Sequence, residues 1–297
     1  MKKVATLFII ICFGLVLTGI LRETRRAETL PTLAPSAPAP THPNNFFDPR
    51  YFTPEYSVKK ELWDEKICGA VVPHHLLAHQ MIAEVFSKIQ DAPPNLLILV
   101  GPNHKNIGSR ILVSSLGWQT PFGTVEVDKE AVDYLLATHM VKQDDYAFSA
   151  EHSMGNLMPF VKYYLPNTKV VPIICHHDVS KKEAEQLAEH LSPLLKKGAV
   201  IVASVDFSHY LASQEAVQMD SETLKAIREK DWDRIFAMDN DYLDSPSALG
   251  ILFFAMENMG ITDFTVLDNT NSGILLGNDM IETTSYISML FSKQKDS

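Results

Sequence analysis

Histidines gather in this sequence where a sheet would hold a ligand. Of the chain's 11 histidines, six fall in four short turns: Pro73-His74-His75, Gly101-Pro102-Asn103-His104, Cys175-His176-His177 and Ser204-Val205-Asp206-Phe207-Ser208-His209. Each turn closes an apolar run of strand length. Imidazole nitrogen is a good ligand for divalent transition metals, and open α/β sheets bind ligands beyond the carboxyl ends of their strands. A loop histidine is also at home in solvent, so the argument rests on the clustering and on no single residue. A second group, Glu151-His152-Ser153, precedes a helical pattern through Leu157, Phe160 and Val161. There Glu151 or Ser153 can cap the helix, with His152 as a pocket residue. In Leu243-Asp244-Ser245-Pro246, Ser245 reads as an N-cap and Pro246 as the first helical residue, which taken alone makes Asp244 a solvated turn residue.

The elements that must position these groups follow from the hydrophobic pattern. Cys68 to Val72, Asn95 to Val100, Val170 to Cys175 and Ala199 to Ser204 are continuous apolar runs, as expected for strands covered on both faces. Helical patterns cover Leu76 to Ile89, Lys129 to Thr138, Lys181 to Leu195, Ser221 to Met238 and Pro246 to Met259. Two late strands are expected over Thr262 to Leu267 and Ser285 to Phe291. The alternation predicts an α/β fold: one layered domain with a mixed, mainly parallel sheet flanked by helices, preceded by an N-terminal apolar helix. Gly101-Pro102-Asn103-His104 lacks the spaced glycines of a dinucleotide fingerprint.

The 297 residues are 46% hydrophobic and 21% charged, enough to bury a substantial core. A net charge of −10 and the lack of a basic stretch after residue 30 exclude nucleic acid as the main partner. Cys12 lies in the N-terminal apolar run, leaving Cys68 and Cys175 as packed free thiols rather than a disulfide framework. Lys2 and Lys3 precede the uncharged run Val4 to Leu21, which is long enough to span a bilayer and longer than a usual signal-peptide core. No A-x-A cleavage site follows. The reading is a signal anchor or signal peptide over residues 1–27, a Pro/Ala-rich linker over 28–50 acting as an extended spacer, and a folded domain over 51–297. The membrane is met through residues 4–21, with the domain on the extracytoplasmic side, or exported if the leader is cleaved.

Taken together, Pro73-His74, Gly101-Pro102-Asn103-His104, the segment from Trp118 to Val127, Glu151-His152-Ser153 and Ser204-Val205-Asp206-Phe207-Ser208-His209 resemble, in order and spacing, the MEMO family. Its bacterial members are called AmmeMemoRadiSam system protein B. The resemblance covers about residues 65–290 and implies a fold similar to that of class III extradiol ring-cleaving dioxygenases, which bind non-haem iron through two histidines and a carboxylate. MEMO proteins carry two histidines and a cysteine at the matching positions. Carried over, the histidines are His74 and His104, with His75 as the alternative to His74, and alignment on Gly250 puts Asp244 at the cysteine position. Asp239 and Asp241 are alternatives.

Two imidazoles and a carboxylate suit Fe(II) with open coordination positions, whereas a thiolate suits softer ions such as Zn or Cu. The expected cofactor is therefore a divalent transition metal, Fe(II) ahead of Zn or Cu. The resemblance also places Asp206 as a residue that orients an imidazole, His209 as an acid or base, and His152 as a further pocket histidine. Gly155 and Leu157 depart from the Glu and His of animal members. Three functions are consistent with this: a dioxygenase-like oxidoreductase acting on a small molecule, a non-catalytic module binding a small molecule or peptide, or an accessory partner of a radical-SAM enzyme.

Overall fold

The computed structural model describes residues 40–53 and 63–294. The apolar run 4–21 and its expected helix lie outside the described residues, and among those described no helix is long and apolar enough to cross a membrane. The strands are β1 (Thr41–His42), β2 (Glu65–Val72), β3 (Leu96–Pro102), β4 (Ile111–Val113), β5 (Gly117–Thr120), β6 (Gly123–Val125), β7 (Lys142–Gln143), β8 (Lys169–Cys175), β9 (Val200–Ser204), β10 (His209–Leu211), β11 (Thr265–Asn271) and β12 (Thr283–Gln294).

The main sheet runs β10-β12-β2-β9-β3-β8-β4-β7, with β11 added on β12. The four central strands β2, β9, β3 and β8 are parallel. Antiparallel pairs flank them, β12 on β2 and β4 on β8. The sheet is thus mixed, with a parallel centre. Val200 to Ser204 are buried throughout, and β3 and β8 are buried apart from their first residues, as unbroken apolar runs require. A separate three-stranded sheet joins β1, β5 and β6, so Thr41 and His42 already belong to the folded unit.

Helices cover the sheet. Lys181–Lys196 packs on Pro246–Asn258, which in turn packs on β9, β3 and β2, while His79–Ile89 packs on β2 and β12. The helix Pro246–Asn258 is buried continuously from Ser247 to Met256. A helix apolar on every side belongs inside a protein, and this one is fixed at its start by Ser245, whose Oγ accepts from the Ala248 amide at 3.2 Å. Cys68 and Cys175 are free thiols, and burial pushes the Cys175 thiol up to about 12.

Two expected elements differ. The helix read over Ser221 to Met238 is Ser213–Glu229 followed by the short helix Trp232–Ile235. Lys230 takes a left-handed φ of 56°, and Asp231 restarts the helix by accepting from the Arg234 amide. The start was obscured by the polar stretch Gln214, Glu215 and Gln218. The strand read over Thr262 to Leu267 begins and ends later, at Thr265–Asn271, because its inter-strand pairing with β12 rather than its hydrophobicity defines it.

Candidate metal centre

His74 follows β2 and is held on three sides. Its amide donates to Asp206 Oδ1 at 2.9 Å, its carbonyl accepts from Asn156 Nδ2 at 2.7 Å, and its ring Nδ1 lies 3.1 Å from Ser204 Oγ. The Ser204 hydroxyl donates its one proton to the Ser153 carbonyl at 2.7 Å. Ser204 can then only accept from His74, so Nδ1 carries the hydrogen and Nε2 is the free nitrogen.

The same logic fixes His104 beyond β3. Its Nδ1 lies 2.7 Å from Glu151 Oε1, and its amide donates to Glu151 Oε2 at 2.9 Å. A carboxylate only accepts, so Nδ1 is protonated and Nε2 points away from it. Glu151 also accepts from the Ser153 amide at 2.9 Å, which makes it a helix cap and a histidine clamp at once. The helix His152–Gly155 can sit this close because the residue before the end of β3 is a glycine: a Cβ on Gly101 would stand 2.7 Å from Met154 Cε and 3.1 Å from Ser153 Oγ.

Asp244 meets both free nitrogens. Its amide donates to the Asp206 carbonyl at 3.1 Å, and its Oδ2 lies 3.2 Å from His74 Nε2 and 3.8 Å from His104 Nε2. The expectation of a solvated turn residue fails here, since the side chain is only 7% exposed. Both Asp244 carboxylate oxygens are buried without a hydrogen-bond donor in proper geometry. With both Nε2 atoms deprotonated, imidazole lone pairs would face a carboxylate, an arrangement that costs several kcal/mol unless a cation, either a proton on His74 or a metal ion, lies between them. Two donors about 2.1 Å from one ion and about 90–109° apart lie roughly 3.0–3.4 Å from each other. The 3.2 Å separation falls in that range and the 3.8 Å one exceeds it, so the donor set fits a metal ion once His104 moves slightly closer.

His152 offers a fourth donor. A ligand atom on each of His74, His104 and His152 lies within 4.8 Å of the others, and the His152 ring stacks on His104 at 3.9 Å. Geometry alone would allow a three-histidine set. The buried Asp244 oxygens beside two of these imidazoles offer a second set, His74, His104 and Asp244.

Charge in the pocket is lopsided. Burial opposes protonation of His74, but Asp206, Asp244 and Glu151 together override it and raise the imidazole to about 9. Burial and the neighbouring His104 and His74 push His152 down to about 4. For Glu151 burial works upward, yet the bonds from His104 and Ser153 hold the carboxyl down at about 2. Without a metal ion the pocket therefore holds a protonated His74, a permanent anion, Glu151, and an uncharged imidazole, His152, at neutral pH.

The other sequence candidates fall around this core. Asp206 lies 3.6 Å from His74 Nε2 and is buried. His75 turns its Nδ1 to the Tyr286 hydroxyl at 2.5 Å, whereas it is the His74 ring that lies beside Asp244 and His104. His209 opens β10, with its Nδ1 buried and unpartnered, and shares no hydrogen bond or ring contact with the donor residues among those described. Asp239 and Asp241 are exposed. The turn His176-His177 stays apart: His176 binds Asp178 Oδ1 and the Asn106 carbonyl. Leu157 is core. Sequence reasoning missed Ser204, Ser153 and Asn156, which fix His74 through the fold, although Ser204 opens one of the histidine turns.

Fold and donor set define a histidine-rich pocket at the strand ends of a mixed α/β sheet. The model of the Memo-like protein family matches residues 50–290, and the chain belongs to that family. A MEMO1 family protein of Pyrobaculum aerophilum is 30% identical over 80% of this chain and 91% of its own length. Those of Methanosarcina acetivorans and Aquifex aeolicus are 31% and 30% identical, over 77% and 74% of this chain and 88% and 84% of theirs. The structure of an uncharacterized Escherichia coli K12 protein shares the fold at a TM-score of 0.51 and 12% identity, covering 75% of this chain and 99% of that one.

Proposed function

We propose that His74, His104 and Asp244 bind one divalent transition metal, Fe(II) in preference to Zn or Cu, and that the pocket performs dioxygenase-like oxidation of a small molecule. The observation that carries this reading is the pair of buried, unpartnered Asp244 oxygens facing two imidazole nitrogens whose opposite nitrogens are already committed. Such outer partners commonly fix the tautomer of metal-bound histidine. A metal in this set supplies Lewis acidity and, as Fe(II), open positions for oxygen chemistry.

The remaining groups serve the substrate. His152, 42% exposed at the mouth and uncharged, accepts a proton from a bound hydroxyl. His209 is the second acid-base candidate, and Asp206 orients His74 through its amide. Glu151 keeps its charge and holds His104 in place. We also propose that residues 4–21 tether the domain on the extracytoplasmic side, which argues against a direct role beside a cytoplasmic radical-SAM enzyme.

Anaerobic purification and metal analysis with and without added Fe(II) tests the site. One equivalent of bound iron in the parent and none in Asp244→Ala is the expected result. A parent that binds no metal under any loading supports the rival reading, a metal-free module for a small molecule or peptide.

A further inference from the structure

At the opposite end of the central strands from the histidines lies a second cleft, of about 330 Å³. Its floor is apolar, formed by residues such as Cys68, Met259 and Ile261, while Lys66, Lys196, Lys197 and Lys293 stand around it. No carboxylate belongs to its described lining, and among the described residues none of the four lysines forms an ion pair. In a chain of net charge −10 that concentration is unusual.

Part of it has an ordinary explanation. Lys196 and Lys197 close the helix Lys181–Lys196, and cations are favoured at helix C-termini. Lys66 and Lys293 have no such reason. They are direct cross-strand partners in the antiparallel pair of β2 and β12, where like charges destabilise the sheet. Their neighbour Glu65 does not relieve them, because it alternates to the other face and hydrogen-bonds Ser292. The Lys66 ammonium is also drawn inward, to 3.9 Å from the position a Cβ would take on Gly198, which has φ +94°.

We propose that this cleft binds an amphiphilic organic phosphate, with the anionic head among the four lysines and the apolar body on the floor. The head neutralises the Lys66–Lys293 repulsion, so the ligand relieves a cost built into the sheet. A soluble phosphate ester and an anionic phospholipid headgroup share this chemistry.

The test uses the full-length protein in phosphatidylcholine bilayers, with lysine acetylation read residue by residue. Phenyl phosphate should protect Lys66 and Lys293 saturably, and more strongly than inorganic phosphate does. Bilayers containing phosphatidylglycerol, with no added ester, should give the same protection if the source is lipid. Lys66→Gln combined with Lys293→Gln should weaken phenyl phosphate binding, read at Lys196 and Lys197, by about tenfold. Without ligand, Lys66→Gln alone should raise the melting temperature, an outcome that an unstrained surface lysine would not give. Protection of neither lysine by ester or lipid, equal protection of all exposed lysines, or equal action of inorganic and phenyl phosphate overturns the proposal.

Discussion

Asp244 and Asp220 are both carboxylates taken out of water, and their surroundings differ in kind. Asp220 accepts from the Ser208 and Ser285 hydroxyls at 2.8 and 2.5 Å, and burial raises it to about 6. Asp244 has no hydroxyl and no amide aimed at its oxygens, only two imidazole nitrogens. Hydroxyl donors complete a carboxylate on the spot. Imidazole nitrogens complete it only through a cation, a proton on His74 or a metal ion. The contrast separates a buried acid completed by hydroxyls of the fold from one that faces two imidazoles, without reference to any relative.

The widest gap between the two should open under truncation. Asp244→Ala is expected to weaken Fe(II) binding by roughly a hundredfold or more, beyond the 10–100-fold typical of losing an outer partner, whereas Asp220→Ala should keep its iron. Equal iron content in both variants, measured by anaerobic titration, would erase the distinction.

Next comes the pH response of Asp220. The folded carboxyl keeps its proton to about pH 6, the unfolded one only to its ordinary value of 3.8. It therefore adds stability that is complete below pH 3.8 and is lost as pH rises through 6. Asp220→Asn should flatten that fall, gaining up to about 2 kcal/mol on the parent between pH 4 and 7. Urea unfolding across this range checks it, and parallel parent and variant curves would refute it.

Glu151→Gln probes how firmly the nitrogen side is set. An amide can present its NH2 to His104 and reverse the tautomer, so metal affinity should fall about tenfold or more. Retained affinity in calorimetric titration would show that the clamp is dispensable. The finest test is Asp244→Cys, which should shift preference several-fold from Fe(II) towards Zn(II), because thiolate is the softer donor. An unchanged ratio in competition titrations would remove residue 244 from the coordination set.

Much of this pocket was legible in the residues. The strand ends at Val72 and Ser204 were visible as the close of apolar runs, and so the turns carrying His74 and Asp206 could be placed on one rim. Asp244 was harder: local reading of Ser245 and Pro246 gives the helix start correctly but says nothing of what that turn packs against. Only the Asp244–Asp206 backbone contact, across a separation the sequence does not show, buries the carboxylate. Ser204 and Asn156 were invisible for the same reason, since each acts on His74 through tertiary contact. The helix from Ser213 was misread because its buried face includes Asp220 and Thr223, polar residues that interrupt the apolar period on which such readings depend.

The segment before the family match begins has a practical meaning. Family similarity starts at residue 50, yet His42 is buried and bonded to Ser114 at 2.8 Å, and Asn45 donates to the Ser149 carbonyl at 2.8 Å. Between them and the start of the family match, Phe46 fills the space left by the missing side chain of Gly155, where a Cβ would stand 2.6 Å from its ring. Its ring lies 6.4 Å from that of His152. A protein trimmed to the homologous region would lose this plug and open the pocket wall beside His152 to water, so the natural place to cut is ahead of Pro40.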